Sequence, residues 1–225
     1  RGGKKSQVIF ENVLKTQLQD INSITRKGKQ YKFSDSNISS AVRTLKELPI
    51  EDGFLSANAA FYDLITLGKA FEEAIDGDKK SHNLQYIDWQ NPDNNSYHVT
   101  EEFAVARTAR ADTYRPDVVL FINGIPTVII ECKSPSLKGT KSPTELGIEQ
   151  HIRNFSKDGI RSLYQYSNLL ISVVTNNGSY ATTGTSKEFW AKWKEQFSSK
   201  QAQEAYQSKL KSLKNKTLTD ATKKA

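Results

Sequence analysis

Methionine is absent from the chain and cysteine nearly so, Cys132 standing alone among 225 residues. A single cysteine cannot close an internal disulfide, and it excludes zinc and iron–sulfur sites built on thiolates. The three histidines, His82, His98 and His151, are scattered without metal-ligand spacing and read as surface or structural groups. No apolar run approaches the ~18 residues of a membrane-spanning helix. No signal-peptide pattern opens the chain either, so the expectation is a cytoplasmic protein without a membrane partner. Internal repeats are missing, and so is the phosphate-binding loop G-x-x-x-x-G-K-[ST], because Gly139-Thr140-Lys141-Ser142 lacks its spacing. Even the initiator methionine is lacking, and Arg1-Gly2-Gly3 reads as an internal start, so a fragment of a longer polypeptide is expected.

What the chain does contain is an ordinary globular mixture, 36% hydrophobic and 25% charged, long enough to bury a substantial core in one large domain. Lysine and arginine number 32 against 25 acidic residues, a net charge of +7 that favours a polyanionic partner.

Apolar spacing divides the chain in two. Ser6 to Ile21 places Phe10, Val13, Leu14, Leu18 and Ile21 on one helical face, with Glu11 beside the stripe. Arg26 to Asn37 is a polar connection. Ile38, Val42, Leu45 and Leu48 repeat at helical spacing until Pro49. Phe61, Leu64, Ile65, Gly68, Phe71 and Ile75 predict a third helix ending at Asp76-Gly77, so residues 1–80 read as a mostly helical part. From residue 84 to 197 the pattern changes to an α/β core. Leu84–Trp89 and Tyr97–Ala106 read as strands, and Leu169–Thr175 as a buried strand. Ser142-Pro143-Thr144-Glu145 has a capping-box pattern opening a helix that carries Leu146, Ile148, Ile152 and Phe155. Glu188–Phe197 is expected to be helical. Residues 198–225, with seven lysines against two acids, read as a basic helical or extended tail. The fold class expected is α/β, a mixed sheet with helices packed on it.

The densest signal is Arg115 to Lys133, RPDVVLFINGIPTVIIECK. Val118–Ile122 and Val128–Ile130 are β-branched and apolar runs suited to strands buried on both faces, and Asn123-Gly124 is a strong hairpin signal. Asp117, Glu131 and Lys133 are costly beside such strands unless they pair or hold a cation. Side-chain parity constrains the connection. A plain two-residue loop at Asn123-Gly124 sets Ile130 opposite Asp117 and turns Glu131 to the other face. Aligning Asp117 with Glu131 requires an odd loop or a one-residue bulge, and Pro126 disfavours the tight version. A wider or bulged connection is therefore predicted.

Two carboxylates with a lysine on one face suit phosphodiester hydrolysis. Their hard oxygens match Mg²⁺, which takes the rest of its shell from water and phosphate. The backbone carbonyl of Cys132 lies between them as a further ligand candidate, while its thiol, alternating to the other face, is expected to be buried packing. Lys138, Lys141, Arg153, Lys157 and Arg161 flank the proposed site as candidate phosphate contacts.

Beyond the triad, RPDVVLFINGIPTVIIECKSP (Arg115 to Pro135) resembles the nuclease core of the R subunit of type I restriction enzymes, in the PD-(D/E)XK superfamily. IDWQNPDNNSYHVTEEFAV (Ile87 to Val105), GIEQHIRNF (Gly147 to Phe155) and ATTGTSKEFWAKW (Ala181 to Trp193) are similar to further segments of that family. The resemblance covers roughly residues 50 to 197. It implies a restriction-endonuclease-like domain over 1–197, with metal held by Asp117, Glu131 and the Cys132 carbonyl, and Lys133 as the third catalytic residue. It also implies a Gln-x-x-x-Tyr motif on the following helix. Gln150 matches the glutamine, but Asn154 stands where the tyrosine would be. Many such nucleases carry a glutamate on an early helix, for which Glu11 is the best-placed candidate. The implied function is Mg²⁺-dependent cleavage of double-stranded DNA in complex with modification and specificity subunits. ATP would serve only helicase-like parts of the full-length subunit. The alternative is an inactive nuclease-like module for DNA binding or assembly.

Overall fold

The chain begins with α1 (Glu11–Ile21), which buries Leu14 and Leu18. The polar connection after it is a short hairpin, β1 (Ile24–Arg26) and β2 (Lys29–Tyr31), turning at Lys27 and Gly28, both with positive φ. Helix α2 (Asp35–Lys46) follows the predicted spacing and buries Ile38, Ala41, Val42 and Leu45. Its N-cap Ser34 shares the buried carboxylate of Glu73 with Asn37, which satisfies a charge that would otherwise be costly at that depth.

The third helix departs from its prediction. Helix α3 (Phe54–Leu67) starts earlier and stops at Gly68, whose φ is +75°; the next seven residues are β3 (Lys69–Ile75), paired with β4 (Asp78–Leu84) about the Asp76-Gly77 turn. Phe71 and Ile75 therefore belong to a strand. Period alone does not separate the last turn of a helix from a strand that continues its apolar residues. Leu84 closes β4, and the segment expected to be a strand after it runs irregularly, with Tyr86 and Ile87 buried.

The main sheet starts at β5 (Tyr97–Glu101). Positive φ at Glu102 ends that strand, and β6 (Val105–Ala106) pairs instead with β7 (Thr113–Tyr114). Then come β8 (Val118–Ile122), β9 (Ile125–Cys132), α4 (Pro143–Phe155), the short α5 (Arg161–Tyr164), β10 (Leu169–Val174), β11 (Asn177–Ala181) and β12 (Ala191–Lys192). The six-stranded sheet runs β12-β11-β10-β9-β8-β5; the β9–β10 pair is parallel and the others antiparallel. A helical crossover from β9 through α4 to β10 is what parallel pairing demands. This is a mixed α/β fold, as expected.

Helix α4 lies on the face that buries Val119, Phe121, Ile129 and Leu170. On the opposite face Val118, Leu120, Val128, Ile130, Leu169, Ile171 and Val173 are half-buried. The strands are thus fully buried on one face rather than both. The expected helix at Glu188 is a single 3₁₀ turn, Lys187–Phe189, leading into β12; Trp190 beside it is in the core.

The computed structural model describes residues 7–48, 53–108, 110–137, 139–175, 177–194 and 199–214, with side chains as far as residue 209. Lys138 and the end of the basic tail fall outside them. Chain contacts divide into one unit of Arg1–Lys192 and a second of Trp193–Ala225. The second contains α6 (Lys200–Lys214), a polar helix in keeping with the expected basic tail.

Candidate active site

The hairpin resolves the parity problem with the bulge, while keeping the tight turn that Pro126 was expected to disfavour. Asn123 and Gly124 form the tight two-residue turn, at φ +53° and +81°, and Ile122 pairs with Ile125. The register then shifts by one: Phe121 pairs with Pro126 but Leu120 with Val128, leaving Thr127 as the bulged residue. Val118 consequently meets Ile130, and the next step sets Asp117 against Glu131. Pro126 sits beside the bulge, where its missing N–H disrupts least.

The turn is pinned from outside. Asn123 is fully buried; its side chain accepts from the Ser96 N–H and donates to the Tyr86 carbonyl and Asn95. The Phe10 N–H donates to the Gly124 carbonyl, and a Cβ at Gly124 would lie 2.7 Å from the Phe10 oxygen. Phe10 itself stacks on Phe121, with ring centroids 4.2 Å apart. The start of α1 is thus fastened to the turn end of the hairpin.

This attachment removes Glu11 from the site. Glu11 follows Phe10 at the turn, whereas Glu131 lies seven residues along β9, roughly 20 Å away at strand rise. There Glu11 pairs with Lys46 at 2.6 Å and accepts from Gln7, which holds its carboxyl below the usual range. Its position is that of an α1–α2 tie, and the expectation that it joins the catalytic group is corrected.

At the far end of the hairpin the three expected charges meet. The Lys133 ammonium is 3.4 Å from Asp117 Oδ2, 3.5 Å from Glu131 Oε2 and 3.4 Å from the Cys132 carbonyl oxygen. Asp117 Oδ2 also accepts from the Cys132 N–H at 2.7 Å, so this carboxylate caps the end of β9. Glu131 is wholly buried while Asp117 is about one-third exposed. Burial, followed by the negative charge of Asp117, pushes the Glu131 carboxyl up to about 8, with Lys133 opposing the shift. The Cys132 thiol is exposed rather than buried, because the strand face opposite Glu131 is only partly covered.

Helix α4 brings polar groups onto Glu131. The capping box forms as predicted: Ser142 accepts from the Glu145 N–H, and the Glu145 carboxylate accepts from the Ser142 N–H. Gly147 then lets the helix settle directly over β10, where a Cβ would fall 2.2 Å from Ser172 Oγ. Ser172 is the register partner of Glu131 across the parallel pair. One turn on, the Gln150 amide donates to Glu131 Oε2, and the Asn154 amide donates to Oε1 at 3.3 Å. The buried face of α4 is therefore Gly147, Ile148, His151 and Asn154, more polar than the apolar stripe expected. His151 and Asn154 escaped a hydrophobic reading because their side chains are polar; the signal available was their helical spacing from Gly147 and Gln150.

Among the flanking cations, Lys141 pairs with Glu149 at 2.8 Å, and Arg161 lies over the Phe54 ring. Arg153 and Lys157 are exposed, and the Arg153 guanidinium lies over the Tyr114 ring. No cluster of three or more His, Cys, Asp or Glu side chains suited to a metal occurs among the described residues. The donor set at the site is two carboxylates and one carbonyl.

Residues 1–190 match the family described as "Type I restriction enzyme R protein N terminus". The chain belongs to this family. A putative type I restriction enzyme MjaIXP endonuclease subunit of Methanocaldococcus jannaschii is 35% identical over 112 residues, 49% of this chain and 10% of that protein. The type I restriction enzyme HindI endonuclease subunit of Haemophilus influenzae is 25% identical over 171 residues, 75% of this chain and 15% of that protein. The chain thus spans a small part of the R-protein relatives it matches. Five of the six strands of its main sheet, all but β12, and the Asp117–Glu131–Lys133 group fall inside the family match. No helix among the described residues is long and apolar enough to cross a membrane.

Proposed function

We propose that the chain is the nuclease domain of a type I restriction R protein and hydrolyses phosphodiester bonds of double-stranded DNA with Mg²⁺. The observation that supports this reading is the convergence of Asp117 Oδ2, Glu131 Oε2 and the Cys132 carbonyl oxygen on one point, marked by the Lys133 ammonium. The donor chemistry fits: all three are hard oxygens, and a buried carboxyl raised by a neighbouring carboxylate gains most from a cation. The metal ion, when bound, offsets phosphate charge and acidifies a coordinated water.

The protein's own groups do the rest. Asp117 and Glu131 would hold the ion, the first reachable from solvent, the second fixed from behind by Gln150. With the carboxylates engaged, Lys133 is released to orient the attacking water and to stabilise charge developing on the phosphate. Arg153 and Lys157, on the exposed side of the helix end, meet backbone phosphates, which position the duplex without reading its sequence. Modification and specificity subunits are the partners this role requires, in the cytoplasm, and ATP hydrolysis belongs to other parts of the full-length protein.

The test uses the assembled restriction enzyme with Asp117→Ala or Lys133→Ala in its R protein. Either change should lower Mg²⁺-dependent DNA cleavage at least about 100-fold, the scale of losing one charge-stabilising group, while DNA-stimulated ATP hydrolysis persists. Cleavage surviving either substitution would show the catalytic assignment to be wrong.

A further inference from the structure

Behind Glu131 lie buried hydrogen bonds whose donors can be assigned. His151 is fully buried, and burial pushes its imidazole down to about 4, so it is neutral. Its Nε2 faces the Ile171 carbonyl at 3.1 Å. A carbonyl only accepts, so the proton is on Nε2 and Nδ1 is left as an acceptor. The Tyr164 hydroxyl, 2.9 Å from Nδ1, must therefore donate to it. The phenol oxygen is then left as an acceptor, and the Asn154 side chain is near enough to oppose the burial-driven rise of the phenol. On the opposite side of the same amide, Arg153 Nε and a terminal guanidinium nitrogen donate to Asn154 Oδ1 at 3.3 and 3.1 Å.

These bonds leave the Asn154 amide one orientation. Its oxygen must face Arg153, a pure donor, and its nitrogen therefore faces Glu131 Oε1. Asn154 is wholly buried, and a buried network satisfied throughout is rigid. Arg153 is itself steadied over the Tyr114 ring, 4.5 Å from its centroid, only three residues before Asp117. The two oxygens of Glu131 are thus held by separate amides from successive turns of α4, Gln150 on Oε2 and Asn154 on Oε1.

We propose that Asn154 is a positioning residue that orients the Glu131 carboxylate for the metal ion, its own amide oriented by Arg153. This rests on the nuclease reading of the site. In a Gln-x-x-x-Tyr pattern the position would carry a phenol; here an amide takes it, and the phenol comes from Tyr164 in the next helix. Groups that orient a ligand commonly change metal affinity about 10- to 100-fold when removed.

The experiment measures Mn²⁺ binding by calorimetry on the chain without DNA, for the parent, Asp117→Ala and Asn154→Leu. Leucine keeps the branched shape and removes both hydrogen-bonding ends. Asn154→Leu should weaken Mn²⁺ at least about 10-fold. In the assembled enzyme its cleavage rate should return to within about threefold of the parent at saturating metal, a rescue that a merely structural defect would not show. If Asp117→Ala binds Mn²⁺ like the parent, the metal-site reading itself is wrong. If Asp117→Ala loses the ion while Asn154→Leu binds it with parental affinity, the positioning role is overturned. Should Asn154→Leu not fold, Arg153→Ala, a change at an exposed side chain, replaces it. A loss of about threefold supports the proposal and unchanged affinity overturns it.

Discussion

At the scale of single residues, the site depends as much on a missing side chain as on charges. Gly147 allows α4 to rest on Ser172, and this contact brings Gln150 and Asn154 within reach of Glu131. Gly147→Ala places a methyl 2.2 Å from Ser172 Oγ and 3.1 Å from its Cβ, so the helix must lift or the strand must yield. Overpacking of this kind costs about 1–3 kcal/mol. Urea unfolding should register that loss, and adding Ser172→Ala should recover part of it; an unchanged midpoint for Gly147→Ala would refute the close-approach argument. Asp117, Glu131 and Lys133 were legible as residues because charges are conspicuous beside apolar strands, and Gln150 only through the resemblance to a Gln-x-x-x-Tyr motif. Glu11 was misleading for the same reason: a glutamate on an early helix is chemically apt, but nothing local shows that α1 is fastened to the wrong end of the hairpin. Asn154 was legible only as a departure from a pattern, since its use depends on α4 being brought against Glu131 of β9.

Among the elements, the β8–β9 hairpin decides whether a site exists. Its strands, its Asn-Gly turn and the need for a bulge or wider loop all follow from alternation and turn chemistry. Which device is used, and that the bulge falls at Thr127, depend on the contacts holding Asn123, Gly124 and Pro126. Deleting Thr127 should regularise the ladder and leave Asp117 paired with Glu131, because Phe121–Pro126 is then followed directly by Leu120–Val128. The expected outcome is a variant that retains β-sheet by circular dichroism and binds Mn²⁺ in calorimetry much as the parent does. Loss of binding by a folded deletion variant would contradict the register argument. The neighbouring elements show where periodicity runs out. Ser142–Glu145 predicted the start of α4 correctly because a capping box is a local bond pattern. Phe71 and Ile75 were assigned to the wrong element because their strand is defined by pairing with β4.

For the whole molecule, the excess of 32 basic over 25 acidic residues acts as a field rather than as a set of bonds. Much of that charge is locally engaged, Lys46 with Glu11, Lys141 with Glu149, and Lys187 with Glu145 and Glu149. Exposed cations such as Arg153 and Lys157 beside the site are what a duplex would meet. If about three phosphates are neutralised, non-specific DNA affinity in Ca²⁺ should fall roughly 40-fold between 50 and 200 mM salt. Fluorescence anisotropy on duplexes of different sequence should give the same slope for each; a slope near zero would rule out phosphate contacts as the source of binding. The family, the α/β class and the charged group of Asp117, Glu131 and Lys133 were written in the order of residues, because turn signals, strand alternation and charges set among apolar neighbours are local facts. The exclusion of Glu11, the bulge at Thr127 and the Asn154 clamp on Glu131 came from packing. Each depends on groups distant in the chain being brought to hydrogen-bond distance, and no local pattern records where the chain will meet itself.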